Sequence, residues 1–302
     1  MYHAPDQTGR RFIITGANSG TGLEATRRLA VAGASVLMAV RNLEKGEAAR
    51  AEILTQVPKA DLELGHVDLA DLANVREFAA GVIADKRPVN VLVNNAGVMN
   101  PPKRIETVDG FELQFGSNFL GPFLLTNLLV PKLLEADLPR VTTMSSFVAN
   151  FGSIRFEDLQ WTRGYQGYRA YAQSKLADML FALRLAEIAT EREWPLISTL
   201  AHPGYTRTNL QSAGANLARE PEKAKKPVKR TITPSQEVEI GAEPLLFAAA
   251  DPGAENGAYY GPNRVVVGTT IRARIPRSAH GVDLPASVWA VAHELTGLDT
   301  PL

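Results

Sequence analysis

Between Arg11 and His202, short apolar runs rich in β-branched residues alternate with longer segments whose apolar residues recur every three or four positions. The short runs predict buried strands, and the longer segments predict amphipathic helices. We predict strands at residues 11–15, 35–40, 62–66, 89–94, 140–145 and 196–202, and helices at residues 20–32, 43–56, 72–85, 111–135 and 168–191. The pattern predicts a Rossmann-type α/β fold, a doubly wound and mostly parallel sheet of about seven strands with helices on both faces.

The rest of the chain has a weaker pattern. Helices are predicted at residues 236–250 and 286–295, and the absence of a linker or internal repeat favours a single domain over residues 1–302. Segment 211–235 differs in composition, because its residues 219–230 hold six basic residues, two acidic residues and two prolines. Like charges and prolines disfavour a packed element. We predict that segment 211–235 is a lid over the substrate; the alternative is a surface insertion without a role.

Composition narrows the class of protein. Lys+Arg and Asp+Glu both number 32, so the formal net charge is zero. The charge balance therefore gives no indication that the protein binds nucleic acid or an anionic membrane. No cysteine is present, which excludes disulfides and thiolate chemistry, and the five scattered histidines predict no metal site. Residues 1–9 lack the apolar core of a signal peptide. Because Pro122 and Pro131 interrupt the most apolar stretch, 119–134, we expect a kinked buried helix there and a cytoplasmic protein without a membrane span.

A glycine-rich turn joins the first strand to the first helix. Gly16, Gly20 and Gly22 follow a Gly-x3-Gly-x-Gly spacing. Glycine permits a tight turn and a close backbone approach, and the free amides of the helix end attract a pyrophosphate. The turn predicts a dinucleotide site, although a glycine turn can also be purely structural.

The end of the second strand bears on which cofactor binds. An acidic residue there would bond the ribose 2′-hydroxyl of NAD. This chain instead has Arg41 and Asn42, and Arg41 can pair with a 2′-phosphate. We predict NADP(H) as the preferred cofactor, with NAD(H) as a second one. The alternative is that Arg41 is a solvated loop residue beside Glu44.

Tyr171 and Lys175 stand four residues apart, on the same face of a predicted helix. Other polar motifs follow the fourth, fifth and sixth strands, namely residues 94–97 (NNAG), Ser146 and residues 203–204 (PG). The carboxyl ends of strands are where open α/β sheets bind ligands. The order and placement of these motifs predict one shared site.

Taken together, the motifs resemble the short-chain dehydrogenase/reductase family, in its single-domain branch. TGANSGTG at 15–22 is similar to that family's cofactor turn, Asp68-Leu69 to its adenine-contacting pair, and PGYTRT at 203–208 to its nicotinamide segment. The resemblance covers residues 11–210 and leans toward the retinol-dehydrogenase-like and protochlorophyllide-reductase-like groups. It implies the catalytic set Asn118, Ser146, Tyr171 and Lys175. The implied cofactor-binding residues are Gly16, Asn18, Ser19, Gly20, Thr21, Gly22, Arg41, Asn42, Asp68, Leu69, Asn95, Ala96, Gly97, Tyr171, Lys175, Pro203, Gly204, Thr206 and Thr208.

Two departures from these groups stand out. We expect no membrane anchor of the kind that many retinol enzymes carry, and the sequence has no cysteine for the photoreductase's chemistry. On sequence alone Asn118 can equally be a helix-kink residue.

The resemblance implies an NADP(H)-dependent oxidoreductase acting on an alcohol or carbonyl, with Tyr171 as general acid/base. A free tyrosine has a pKa of about 10, and the charges of Lys175 and an oxidised nicotinamide would lower it. Large apolar residues near the same sheet edge predict a hydrophobic small-molecule substrate: Val98, Met99, Phe147, Phe151, Phe156, Trp161, Tyr165, Tyr168, Tyr205 and Leu210. Two alternatives remain, a non-catalytic NADP(H)-binding sensor and a sugar-nucleotide-modifying member of the superfamily. A homo-oligomer is compatible with the sequence.

Overall fold

The computed structural model describes residues 1–217, 234–281 and 283–298. Its centre is one eight-stranded sheet with the strand order β3-β2-β1-β4-β5-β6-β7-β8, in which β8 alone runs antiparallel to its neighbour. The strands are β1 (Arg11–Thr15), β2 (Ser35–Val40), β3 (Asp61–His66), β4 (Val91–Asn94), β5 (Arg140–Met144), β6 (Ile197–Ala201), β7 (Tyr259–Pro262) and β8 (Thr270–Arg272). The order reverses between β1 and β4, which opens a crevice at the carboxyl edge.

Helices cover both faces of the sheet, as the sequence predicts. They are α1 (Gly20–Val31), α2 (Leu43–Gln56), α3 (Leu72–Ala84), α4 (Leu113–Phe115), α5 (Gly121–Leu133), α6 (Gly167–Glu191), α7 (Leu210–Asn216), α8 (Val238–Gly241), α9 (Glu243–Ala250) and α10 (Leu284–Thr296). Side chains of β1 alternate between two cores: Ile13 packs with α3, α5 and α6, whereas Phe12 and Ile14 pack with α1 and α9. No helix of the described ranges is long and apolar enough to cross a membrane.

The first six strands were predicted within two residues at each end, but β7 and β8 were not. β7 is only four residues long and ends in Gly261-Pro262, and β8 is three mostly exposed residues. Neither carries a period that a sequence pattern could reveal. The sheet therefore has eight strands where about seven were expected.

The predicted helix at 111–135 is broken near its start. A π-helical turn, Gly116–Leu120, separates α4 from α5. Pro122 has no N–H, so it cannot donate to the carbonyl of Asn118 as the fourth residue along a regular helix would. Pro131, in contrast, lies inside α5 without ending it. The kink predicted from Pro122 thus takes the form of a π turn that contains Asn118.

Part of the predicted lid is helical. α7 occupies the start of segment 211–235, where the sequence suggested no packed element, and Gly214 is buried against the backbone of Met99. A glycine here lets the helix approach closely, because a Cβ would overlap the Met99 carbonyl. Residues 218–233 lie outside the described residues.

Candidate active site

The glycine-rich turn adopts a conformation that side chains would prevent. Gly16 and Gly20 have φ values of +67° and +53°, in the left-handed region that favours glycine. A Cβ on Gly16 would lie 3.0 Å from the Cα of Ala96, and one on Gly22 would overlap the carbonyl of Gly16. The turn is therefore compact and leaves its backbone accessible, as close approach to a pyrophosphate requires.

The amino end of α1 is open to an anion. Ser19 is the N-cap residue in an extended conformation, and its side chain makes no capping hydrogen bond. The first amides of a helix lack internal partners and carry the positive end of the helix dipole. These amides, together with the glycine turn, fit the pyrophosphate of a dinucleotide.

Residues of the NNAG motif hold the turn in place. Asn95 Nδ2 donates to the carbonyl of Thr15 at 2.9 Å, and its Oδ1 accepts from the Thr21 hydroxyl at 2.9 Å. The Thr15 hydroxyl accepts the backbone N–H groups of Asn95 and Ala96, each at 3.0 Å. Asn95 thus forms hydrogen bonds to Thr21 and to β1, and these bonds stabilise the glycine-rich turn.

At the end of β2, Arg41 is exposed and forms no ion pair with the described residues, which is compatible both with a phosphate contact and with the alternative of a solvated loop residue beside Glu44. Asn42 caps α2, because its Oδ1 accepts from the amide of Lys45 at 2.8 Å. Arg41 is free to meet a phosphate, whereas Asn42 already has a structural partner.

The Asp68-Leu69 pair also has structural roles. Asp68 Oδ1 accepts from the amide of Ala70 at 3.0 Å, in a local turn. The Leu69 side chain belongs to the core, and Gly121 of α5 packs against its backbone. Leu69 can therefore contact a cofactor only through its backbone.

The Pro203–Thr208 segment is tied down by Gln236. Gln236 Nε2 donates to the carbonyl of Pro203 at 2.9 Å, and its backbone N–H donates to the carbonyl of Tyr205 at 3.0 Å. Thr206 Oγ1 donates to the same Pro203 carbonyl at 2.5 Å. The segment reaches the glycine turn, because a Cβ on Gly20 would lie 3.3 Å from Cγ2 of Thr208.

His202 supports this segment from within the core. It is 3% exposed, and its Nδ1 accepts the N–H of Gly204 at 3.3 Å. Burial lowers the pKa of His202 to about 4. The imidazole therefore stays neutral, as its acceptor role at Nδ1 requires.

A stability test follows from this histidine. The unfolded chain binds a proton near pH 6.5 but the folded chain only near pH 4, so stability is lost as the pH falls between these values. From pH 7 to pH 5 we expect His202 to cost about 2 kcal/mol of unfolding free energy. Urea unfolding of the wild type and of His202→Asn at both pH values measures it. An equal pH dependence in the two proteins would contradict this assignment.

Tyr171, Lys175 and Ser146 meet at the carboxyl end of β5. All three are buried, with exposures of 5%, 3% and 7%. Lys175 Nζ donates to the carbonyl of Met144 at 2.9 Å, and Ser145 Oγ donates to the backbone carbonyl of Lys175 at 2.6 Å. Ser146 interacts with the Tyr171 phenol. The end of β5 thus positions the helix that carries the tyrosine and the lysine.

The electrostatics of this group differ in part from the sequence-based expectation. Burial raises the pKa of Tyr171 and outweighs Lys175 and Ser146, which lower it. Burial also lowers the pKa of Lys175, but Asp178 and Tyr171 outweigh it and the net shift is upward. Lys175 lowers the pKa of the phenol as expected, but in the cofactor-free protein burial keeps the phenol protonated.

Asn118 lies in the π turn beside Lys175. Its Oδ1 accepts from the N–H of Val98 at 2.7 Å, and its Nδ2 donates to the Val98 carbonyl at 3.0 Å and to Ser174 Oγ at 2.9 Å. A Cβ on Gly97 would lie 3.3 Å from Asn118 Oδ1 and 3.7 Å from Lys175 Nζ. The side chain therefore joins the segment after β4 to α6.

The large apolar residues proposed as a substrate wall differ widely in exposure. Phe151, Phe156 and Tyr168 are exposed at 73%, 44% and 46%. Trp161 is 4% exposed and is covered by the guanidinium of Arg155 at 4.3 Å from its ring centre. The half-buried members are Val98, Met99, Phe147, Tyr165, Tyr205 and Leu210. The sequence could not predict these differences in exposure, because an aromatic residue in a loop carries no local signal of which way it faces.

Sequence reasoning missed three residues of this region. Thr15 braces the glycine-rich turn and was quoted in its motif without a role of its own. Gln236 braces the Pro203–Thr208 segment, and no local pattern marks it. Asp178 forms an ion pair with Lys175 at 2.8 Å. Its spacing of three residues on an otherwise apolar stretch of helix was a usable signal.

Comparison with known proteins agrees with this geometry. The family model described as short chain dehydrogenase matches residues 10–216. Retinol dehydrogenase 13 of Homo sapiens is 36% identical over 295 residues, which are 97% of this chain and 86% of that protein. Polyprenol dehydrogenase of Mus musculus is 38% identical over 298 residues, which are 97% of this chain and 85% of that protein.

Solved structures share the fold. An uncharacterised protein of Mycobacterium paratuberculosis is 38% identical, with a TM-score of 0.81, and the match covers 99% of this chain and 97% of that one. A structure described as an NAD(P)-dependent gluconate 5-dehydrogenase of Beutenbergia cavernae, with bound NADP, is 25% identical, with a TM-score of 0.65 over 85% of this chain and 96% of that one. This chain belongs to the short-chain dehydrogenase/reductase family of oxidoreductases, in its retinol-dehydrogenase-like group.

Proposed function

We propose that this protein is an NADP(H)-dependent oxidoreductase that interconverts a hydrophobic alcohol and its carbonyl compound, with Tyr171 as general acid/base. The observation that carries the proposal is the meeting of the Tyr171 phenol, the Lys175 ammonium and the Ser146 hydroxyl at the end of β5, on the edge that holds the glycine turn. A carbonyl oxygen that gains negative charge during reduction can be stabilised at this point. It would meet a proton donor, a cation and a second hydrogen-bond donor there.

A bound nicotinamide supplies the hydride for reduction and accepts it in oxidation. In reduction a C–H bond forms at the carbonyl carbon, and Tyr171 gives its phenolic proton to the oxygen, which yields the alcohol and a phenolate. Ser146 donates a hydrogen bond to the same oxygen. Lys175 stabilises the phenolate by its charge and can hold a ribose hydroxyl. The carbonyl of Asn118, without a donor from Pro122, is suited to a water that returns the proton.

The remaining predicted cofactor contacts fit the same proposal. Gly16, Gly20 and Gly22, with the amides of α1, would hold the pyrophosphate, and Asn18 and Ser19 lie in that turn. Gly204, Thr206 and Thr208 would face the nicotinamide, because their segment crosses to the glycine turn. Asp68 and the backbone of Leu69 would lie near the adenine.

An apolar substrate is supported by two observations. Met99, Phe147 and Tyr205 are half-buried in the segments that follow β4, β5 and β6, so apolar groups border the catalytic tyrosine. Two relatives are named for retinol and polyprenol, which are apolar alcohols. We infer an apolar alcohol or carbonyl compound as the substrate class.

NADPH consumption by the purified protein tests the proposal, with a panel of apolar aldehydes, ketones and quinones. We expect turnover of at least one apolar carbonyl compound. NADPH binding without turnover of any member would instead favour a non-catalytic sensor. Turnover limited to sugar nucleotides would favour the sugar-modifying alternative.

Cofactor preference depends on Arg41. A charge-assisted hydrogen bond to the 2′-phosphate contributes about 1.5–3 kcal/mol, so NADPH should bind about ten- to a hundredfold more tightly than NADH. Arg41→Ala should remove most of this difference, and high salt should weaken it because Arg41 is exposed. Titration calorimetry with both cofactors is the measurement, and Arg50→Ala, on α2, is a control. Equal affinities in the wild type would contradict the assignment.

A further inference from the structure

The helix that carries Tyr171 and Lys175 carries a third buried ionisable group, which the proposed reaction does not use. Asp178 is 1% exposed, and its Oδ2 accepts from Lys175 Nζ at 2.8 Å. Both members of this ion pair are buried. A buried ion pair contributes little to stability on average, because desolvation offsets the attraction. Its place beside the catalytic lysine suggests a role in the chemistry.

The hydrogen bonds of Lys175 show how Asp178 positions it. An ammonium group has three N–H donors. One goes to the carbonyl of Met144 at 2.9 Å and one to Asp178 at 2.8 Å, which leaves a single donor for a ribose hydroxyl or a water. The two bonds fix the amine between the end of β5 and the next turn of α6.

The carboxylate also acts on the phenol. Asp178 Oδ1 is buried and has no hydrogen-bond partner among the described residues, so its charge is met only by Lys175. Burial raises the pKa of Asp178 to about 6, against the opposing effect of Lys175, so the group is mainly ionised at neutral pH. Its negative charge raises the pKa of Tyr171, whereas Lys175 lowers it.

Few other groups act on this cluster. The neighbouring titratable side chains are Tyr168 on α6 and Tyr259 on β7, both of which are uncharged at neutral pH. From β5 and the turn after it come uncharged groups, namely the carbonyl of Met144 and the hydroxyls of Ser145 and Ser146. Lys175 and Asp178 therefore supply the charges that Tyr171 experiences from the described residues.

We propose that Asp178 is a positioning residue that holds Lys175 by an ion pair and, through its negative charge, counteracts the stabilisation of the Tyr171 phenolate by Lys175, which extends carbonyl reduction to higher pH. A protonated phenol is the acid that reduction needs, whereas oxidation needs the phenolate as a base. The inference rests on the proposed role of Tyr171 and adds a residue that opposes the effect of Lys175 on the phenol.

Titration of the cofactor-free protein tests this inference without turnover. Tyrosinate absorbance is followed against pH in the wild type and in Asp178→Asn, and subtraction of the matching Tyr171→Phe variants isolates the Tyr171 phenol. Removing the carboxylate should lower the pH at which that phenol ionises by on the order of one unit. The same pH in both proteins, or a higher one in the variant, would overturn the inference whether or not an accepted substrate has been found.

With an accepted substrate, the pH dependence of kcat/KM for reduction is the second measurement. The alkaline limb, where Tyr171 loses its proton, should move down by a similar amount in Asp178→Asn. Glu187→Gln is the matched control, because Glu187 pairs with Arg184 at 3.0 Å on the same helix but is on the solvent side. Its profile should match the wild type, and a shift as large as that of Asp178→Asn would overturn the inference.

Folding failure of one variant does not end the test. Asp178→Ser also removes the charge and leaves a hydroxyl that can accept from Lys175, so it replaces Asp178→Asn if the amide variant does not fold. Loss of turnover with an unshifted titration would show a merely structural role for Asp178 and would reject the inference. A shifted titration in a protein that turns over nothing would retain the Asp178 effect and reject the proposed function instead.

Discussion

Tyr171→Phe is expected to lower kcat by about 10²–10⁴-fold while NADPH still binds, because general acid catalysis contributes that factor. The phenol is 5% exposed beside Ser146 and Lys175, so removing one hydroxyl deletes the proton donor while the ring keeps its packing. Steady-state kinetics on an accepted carbonyl compound, with NADPH affinity measured separately, separate loss of chemistry from loss of binding.

A matched control is available on the same helix. Tyr168 lies three residues before Tyr171 and is 46% exposed, so Tyr168→Phe makes the same chemical change outside the buried group. Its kcat should stay near the wild-type value. A Tyr171→Phe enzyme that kept more than about a third of the wild-type kcat would exclude this tyrosine as the general acid.

Trp289→Ala should reduce the free energy of unfolding by about 3–5 kcal/mol, the usual cost of truncating a large buried aromatic residue. Trp289 on α10 is 7% exposed, and its ring centre lies 4.9 Å from that of Phe123 on α5 and 5.8 Å from that of Phe181 on α6. The helix α10 thus completes the core against α5, which follows the π turn of Asn118, and against α6, which carries Tyr171. Truncation leaves a cavity in this aromatic cluster.

Chemical denaturation of the cofactor-free protein is the measurement for this variant. Trp194→Ala is a suitable control, because Trp194 is only partly buried and lies beside Arg192 near the surface. It should cost clearly less than Trp289→Ala. A loss below about 1 kcal/mol in Trp289→Ala would show that α10 is not part of the core, since surface substitutions usually stay within about 0.5 kcal/mol.

Much of the fold and of the candidate site follows from local pattern. β1 and β2 have the predicted bounds because a parallel strand buried on both faces reads as a continuous apolar run. Gly16 and Gly20 could be singled out because the left-handed backbone excludes most other residues, and Tyr171 and Lys175 because a spacing of four places them on one helix face. In each case the physical requirement lies within a few neighbouring residues.

Tertiary structure alone decided the features whose partners are distant in sequence. β7 is a strand because β6 offers it an edge, and Gln236 holds Pro203 across more than thirty residues, with no local trace of either contact. The sequence showed Asp178 near Lys175, but not that the pair is buried against β5 and charged beside the phenol. The periodicity of apolar residues along an element predicts which of its faces is buried. Which groups pack against that face depends on how the elements are arranged in the fold. For this reason the sequence alone determined the types of the candidate catalytic residues, and the packing of α6 on β5 determined their electrostatic environment.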